Sequence, residues 1–360
     1  MIRADYRTQY YANISISKGI LIILMVVGHS GINSLAKDFI YNFHMPCFFL
    51  ISGFLFKEEY LDNIGTFVAK KIKGLYVPFV KYSLFFLLLH NIFYHLHLYN
   101  NCYTLEEFII RLLKTPILIG AEQLLGGFWF LEVLLYASLL SIISFKIAGK
   151  LKKKKLLLLC TTFTLLAYIQ STSTLIKIPI IGSNTLLATA FFIVGFLYRK
   201  TNIKSNNNLV IAIVGYIITF IASLFIKGNI DIQGVAIFPY FVVSIIGSVS
   251  TIHLARSITN SSVGVLLDHI GKNTLYILTF HFISFKILSY IIIQINDWPI
   301  SRLSEFPVLN DNNAYIWILY TIIGVTVPLI IKRFFDIIEE SSKSLYNKYS
   351  NRTANDTHKV

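Results

Sequence analysis

Between Ile14 and Ser34 the chain reads ISISKGILIILMVVGHSGINS. The run is apolar for about the length that a ~30 Å hydrocarbon core demands. It nevertheless holds two ionisable residues, Lys18 and His29. On an α-helix the spacing between them leaves their side chains within about 20° of each other, roughly 16 Å apart along the axis. One helix face therefore carries a cation near one end and an imidazole near the other. A charge at the centre of a spanning helix costs on the order of 3 kcal/mol on insertion scales, so residues that carry such a cost usually face a cavity or a partner. Taken alone, Lys18 could snorkel its ammonium to the headgroups. The pair on one face is read as functional.

Apolar runs of similar length recur along the chain. It is 55% hydrophobic and only 14% charged, with a mean hydropathy of +0.65, which excludes an ordinary soluble domain. The runs are continuous rather than alternating, which argues against a β-barrel. The expected fold class is all-α, a polytopic membrane helical bundle. About ten transmembrane helices are predicted, at about 14–34, 39–57, 75–98, 127–147, 155–171, 185–199, 208–227, 235–255, 273–295 and 314–332. The longest loops, 99–126 and 296–313, are too short to fold alone. Residues 1–340 are thus read as one transmembrane domain and 341–360 as a polar, frayed cytoplasmic tail. No internal repeat stands out.

A net charge of +14 invites a nucleic-acid reading. The distribution of that charge opposes it, because Lys and Arg cluster in alternate loops. One side carries Arg3, Arg7, Lys57, Lys70, Lys71 and Lys73, then the Lys146–Lys155 run, Arg199, Lys200, Lys204, Arg256, Lys272 and the basic residues of the tail. The other has only Lys37, Arg111, Lys114, Lys177, Lys227 and Arg302. This bias places both termini in the cytoplasm, as an even number of spans also requires. Cys47, Cys102 and Cys160 show no metal or redox spacing, so no metal is expected. His90, His95 and His97 are poorly spaced for a helical metal site and have no carboxylate close in sequence; they are read as interfacial. Residues 104–119 alternate as an amphipathic helix, expected at the interface or as a lid over an outer cavity.

With the orientation set, polar residues acquire depths. His29, His44 and Glu132 gather toward the outside, whereas Lys18, Lys81, Lys70, Lys71, Lys73 and Lys272 gather toward the inside. A His–Glu neighbourhood suits proton abstraction, since imidazole titrates near neutrality and a carboxylate can orient it. Inner cations suit a phosphorylated cytosolic donor. Plainer readings stand beside these: His44 could cap its helix, Glu132 could pair with a lysine, and His281 is read as bridging two helices.

At this point the motifs resemble the membrane acyltransferase-3 family. Lys18-x₁₀-His29 is similar to its basic-x₁₀-His signature. Asn42–Phe56, NFHMPCFFLISGFLF, looks like its second-span signature, and Lys70–Phe79, KKIKGLYVPF, resembles the basic segment opening its third span. Phe128–Leu131, FWFL, is similar to its Trp-containing fourth-span entry. Ile270–His281, IGKNTLYILTFH, is close to its late Gly-Lys-Asn-Ser-Leu…His element. These matches fall in the family's order. The resemblance implies a multi-pass enzyme of the bacterial cytoplasmic (inner) membrane that moves an acetyl or similar short acyl group from cytosolic acyl-CoA to a hydroxyl of a surface-polysaccharide or exopolysaccharide sugar. It implies acetyl-CoA as co-substrate rather than a permanent cofactor. It makes His29 the essential catalytic residue, with Lys18 in the place of a basic residue that is often Arg. That exchange loses bidentate phosphate recognition. Glu132 stands closer to Trp129 than the glutamate some branches carry. The soluble extension of some members is missing, so the bundle or a partner is expected to complete acyl delivery.

The expected site is therefore His29, Glu132 and His44 for catalysis, with Lys18, Lys70, Lys71 and Lys73 for the donor. His29 is either a general base or a covalent acyl carrier. The expected partners are acyl-CoA, a polysaccharide or lipid-linked sugar acceptor, membrane lipid and polysaccharide-synthesis proteins, with no nucleic acid. The rival reading is a transporter or exporter of a polysaccharide or lipid-linked sugar, which would use polar residues inside a bundle equally well. A weaker one is a non-catalytic membrane subunit of a polymer synthase.

Overall fold

The computed structural model describes residues 2–173, 181–201, 208–310 and 314–357, with side chains described between 12 and 342. Lys177 and Lys204 lie outside the described residues. The described residues form helices and connecting turns, with no strand among them. In chain order the helices are α1 (Ile2–His29), α2 (Ser34–Tyr41), α3 (His44–Phe54), α4 (Ile64–Lys71), α5 (Val77–Leu88), α6 (His90–His95), α7 (Leu105–Lys114) and α8 (Trp129–Ala148). They continue with α9 (Lys153–Thr172), α10 (Ser183–Thr201), α11 (Asn208–Ser223), α12 (Ile237–Ile258), α13 (Ser262–Lys272), α14 (Thr274–Ile295) and α15 (Ile316–Thr357).

Each predicted span falls on one of these helices or on an adjacent pair. Among the described residues, six stretches are long and apolar enough to cross a membrane unaided: Ala12–His29, Trp129–Ala148, Lys153–Thr172, Gly234–Ile258, Thr274–Ile295 and Ile316–Ser342. The other predicted spans map to α3, α5 with α6, α10 and α11. Helix α10 is packed inside the bundle, its Thr185–Ile193 segment wholly buried, so it need not be apolar on every face. Helix α15 extends as far as Thr357.

The second predicted span is two helices. Its break at Asn42 and Phe43 is held by tertiary hydrogen bonds: Ser244 Oγ donates to the Asn42 carbonyl at 2.5 Å, and Asn42 Nδ2 donates to the Ile226 carbonyl at 3.1 Å. Backbone polar groups freed by a break inside a bilayer must find such partners. The third predicted span is likewise divided. It is made of α5 and α6, which Leu89 separates, and a single π-helical turn, Ile72–Tyr76, leads into it from α4.

Close helix pairs are set by glycine. A Cβ on Gly53 would strike the Phe192 carbonyl, and one on Gly195 would strike the Leu50 carbonyl, so α3 and α10 touch backbone to backbone through reciprocal glycines. Gly19 and Gly271 do the same for α1 and α13, against the carbonyls of Leu267 and Ser15. Around the outside, Leu209, Val210, Ile213, Val214 and Ile217 of α11 and Ile330 of α15 are exposed. A contiguous apolar exterior of this kind fits acyl chains rather than water.

Candidate functional site

Helix α1 is unbroken from Lys18 to His29, and Gly31, at φ 89°, turns the chain directly after it. Lys18, Ile22, Met25 and His29 fall along one stripe of α1 at the spacing of one helix face. That stripe lines two cavities stacked along the helix.

The first cavity, about 330 Å³, has Lys18, Lys70 and Lys71 in its wall. Helix α4 and the π-helical turn after it bring the two later lysines to Lys18. Lys71 Nζ donates to Ser52 Oγ at 2.7 Å and lies 5.4 Å from the Phe67 ring centroid. Lys70 Nζ donates to the Tyr60 hydroxyl at 3.3 Å. The rest of the wall is mostly apolar, including Phe48, Ile51, Phe130 and Leu134. Lys71 precedes the third predicted span. Burial, reinforced by the Lys70 and Lys18 ammoniums, lowers its pKa to about 7. Lys73 is exposed and is not among the lining residues. Lys81 is also exposed, with its ammonium 5.2 Å from the Tyr82 ring centroid. Lys272 is paired with Asp268 on the surface.

The second cavity, about 160 Å³, is lined by His29, His44, Tyr41, Trp129, Asn229 and Asp231 among others. Hydrogen bonds set the tautomers of its two histidines and of His281, which lies behind His29. His281 Nδ1 lies 3.0 Å from the carbonyl oxygens of both Ile277 and Leu278. Carbonyls only accept, so Nδ1 carries the proton and the neutral ring's Nε2 accepts. His29 Nδ1 lies 3.3 Å from that Nε2 and is its donor. His29 Nε2 is left as the basic nitrogen. The ring is held by Phe282, stacked at 5.0 Å, and by Tyr41, edge-on at 6.2 Å, whose hydroxyl donates to the Gly28 carbonyl at 3.2 Å. His44 follows the same rule. Its Nδ1 donates to the Ile40 carbonyl at 2.9 Å, leaving Nε2 basic. It therefore ties α3 back to α2, while the N-cap of α3 is Phe43.

The carboxylate expected beside His29 is elsewhere. Glu132 is half-buried in the first turn of α8, near Tyr136, and lines neither cavity; the ring that meets His29 is His281. Its neighbour Trp129 does line the second cavity. His281 does bridge two helices, but the group it bridges to is the imidazole at the centre of the site. Asn229 and Asp231 lie in the turn between α11 and α12, and no motif in the sequence marks them. Their place in the wall comes from the packing of α11 against α2 and α12.

His90, which has no carboxylate close in sequence, meets one through the fold. Glu122, distant in sequence, lies with Oε2 2.7 Å from His90 Nδ1, and both residues are buried. The His90 ring stacks on Tyr103 at 3.3 Å. Helix α7 forms as expected, with a Thr104–Glu107 capping box and Leu105 and Leu113 exposed. The His90–Glu122 pair fastens the loop that carries it. Lys286 is buried and donates to the carbonyls of Leu303 and Glu305, which ties α14 to the loop after it.

A basic cavity and a histidine cavity on one helix face suit transfer of a group between an anionic donor and a polar acceptor. A family model described as an acyltransferase domain matches residues 11–333, nearly the whole chain. No curated protein and no solved structure matches it. With apolar helices able to span a bilayer and a family match reaching from α1 into α15, the chain belongs to the acyltransferase-3 family and is a membrane acyltransferase.

Proposed function

We propose that the protein is an acyl-CoA-dependent O-acyltransferase of the bacterial inner membrane. It moves an acetyl or similar short acyl group from a cytosolic donor to a hydroxyl of a cell-surface or exopolysaccharide sugar, free or lipid-linked. The observation that carries this reading is the single stripe of α1 that puts Lys18 in a basic cavity and His29 in a second cavity next to it. With both termini in the cytoplasm, the basic cavity opens toward the donor and the histidine cavity toward the acceptor.

Lys70, Lys71 and Lys18 supply the charge that a nucleotide's phosphates require. At the other end, His29 Nε2 removes the proton of the acceptor hydroxyl. The hydroxyl oxygen attacks the thioester carbonyl, a C–O bond forms and the C–S bond breaks. The proton passes from His29 to the departing sulfur, so the products are one ester and free CoA thiol. His281 accepts a hydrogen bond from His29 Nδ1 throughout and keeps Nε2 facing the reaction. Tyr41, Trp129 and Asp231 suit a sugar, since the rings cover its apolar face and the carboxylate accepts from its hydroxyls.

Membranes holding the protein, given radiolabelled acetyl-CoA and surface glycan, should incorporate label into the glycan. His29→Ala should reduce incorporation by about 10²–10⁴-fold at unchanged membrane abundance. Label incorporated at the wild-type rate by that variant would sink the catalytic role of His29. Uptake or export of glycan without incorporation would favour the transporter.

A further inference from the structure

The two cavities share three wall residues. Met25 of α1, Met45 of α3 and Leu278 of α14 line both. They come from three helices and are all buried, with relative exposures of 3%, 8% and 6%. The partition between the cavities is therefore made of these side chains, and each is apolar. A fourth residue sets where one of them stands. A Cβ on Gly127 would lie 2.8 Å from Leu278 Cδ1, so Leu278 occupies the space that a side chain at position 127 would take.

We infer that Met25, Met45 and Leu278 form a constriction that selects the acyl group by length and charge, with Gly127 as the residue that leaves Leu278 its place. The inference rests on the acyl-transfer reading above and deepens it. A thioester drawn from the basic cavity toward His29 must put its acyl carbon into this partition. Methionine side chains yield, being unbranched, whereas Leu278 is confined on the Gly127 side. A pocket of this kind discriminates about 10–200-fold per methylene. It offers no donor to a carboxylate, and an unpaired buried charge is strongly disfavoured. The partition thus favours a short, uncharged acyl group and disfavours the succinyl carboxylate.

The test uses the full chain in membranes with its glycan acceptor and acetyl-, propionyl-, butyryl- and succinyl-CoA, read as ratios of kcat/KM. Wild type should prefer acetyl to butyryl, and butyryl to succinyl, which has the same number of carbons. Leu278→Ala and Met45→Ala should each raise the butyryl-to-acetyl ratio about tenfold or more. Gly127→Ala should lower it by pushing Leu278 into the partition, and Gly127→Ala with Leu278→Val should bring it back. The Gly127 variants need no cavity in the core and keep the test alive if the truncations fail to fold. Wild-type transfer with butyryl-to-acetyl ratios unmoved in every folded variant overturns the constriction alone, as does succinyl transfer faster than butyryl. No transfer from any donor overturns the acyl-transfer reading itself, and the constriction with it.

Discussion

Lys71 and His281 show how a residue's chemistry is set by its neighbours. Lys71 is an ordinary member of a basic cluster in sequence, but packing beside Phe67, Phe192 and Ser52 makes its charge conditional. With a pKa lowered to about 7, it is charged below that pH and neutral above it. Its help in binding a phosphorylated donor is therefore complete on the acid side and fades as pH rises. The KM for acyl-CoA should rise up to about tenfold between about pH 6 and pH 8, following the protonated fraction. Lys71→Arg, charged throughout, should flatten that rise, and steady-state kinetics across this range would measure it. A wild-type KM that stays level would remove Lys71 from the donor site. His281 reads in the sequence as a helix-bridging histidine. Only the two carbonyls at its Nδ1 and the His29 ring at its Nε2 turn it into the group that fixes a tautomer.

Among the elements, α3 is the least self-sufficient. It spans His44–Phe54, about half the length that a bilayer crossing needs. Its place depends on the break at Asn42, on Ser244, and on the reciprocal glycines it shares with α10. The Ser52-Gly53 step of its motif has a structural meaning for each residue: Ser52 accepts from Lys71, and Gly53 admits the α10 backbone. Gly53→Ala places a methyl against a main-chain carbonyl that has no rotamer to yield. It should destabilise the protein by about 1–3 kcal/mol, seen as a lower midpoint in thermal denaturation of the detergent-solubilised protein. Gly65→Ala, where the added methyl meets only the Asn63 side chain at 3.5 Å, should be neutral or slightly stabilising. Equal losses from both changes would show that the α3–α10 contact is not special.

Over the described residues the molecule is a helical bundle with many exposed apolar side chains, and two of its cavities lie end to end on one face of α1. Its orientation rests on the charge bias of the loops and is open to direct measurement. Cys102 is exposed in the loop expected outside, whereas Cys47 and Cys160 are buried. A membrane-impermeant maleimide should label Cys102 in intact cells, and Cys102→Ser should abolish the labelling. Labelling seen only after the membrane is opened would invert the topology and exchange the sides of the two cavities.

What the chain determined by itself is whatever follows from period, length and charge. The helical spans, the loop bias and the Lys18–His29 stripe are local properties, since an α-helix places residues on a face wherever it is put. Tertiary structure alone decided which polar groups meet. Glu122 reached His90, His281 and not Glu132 reached His29, and Asp231 entered the cavity wall from a turn with no motif. Those pairings join residues far apart in the chain. They depend on how helices rotate and how deeply they pack, and no period in the sequence encodes either.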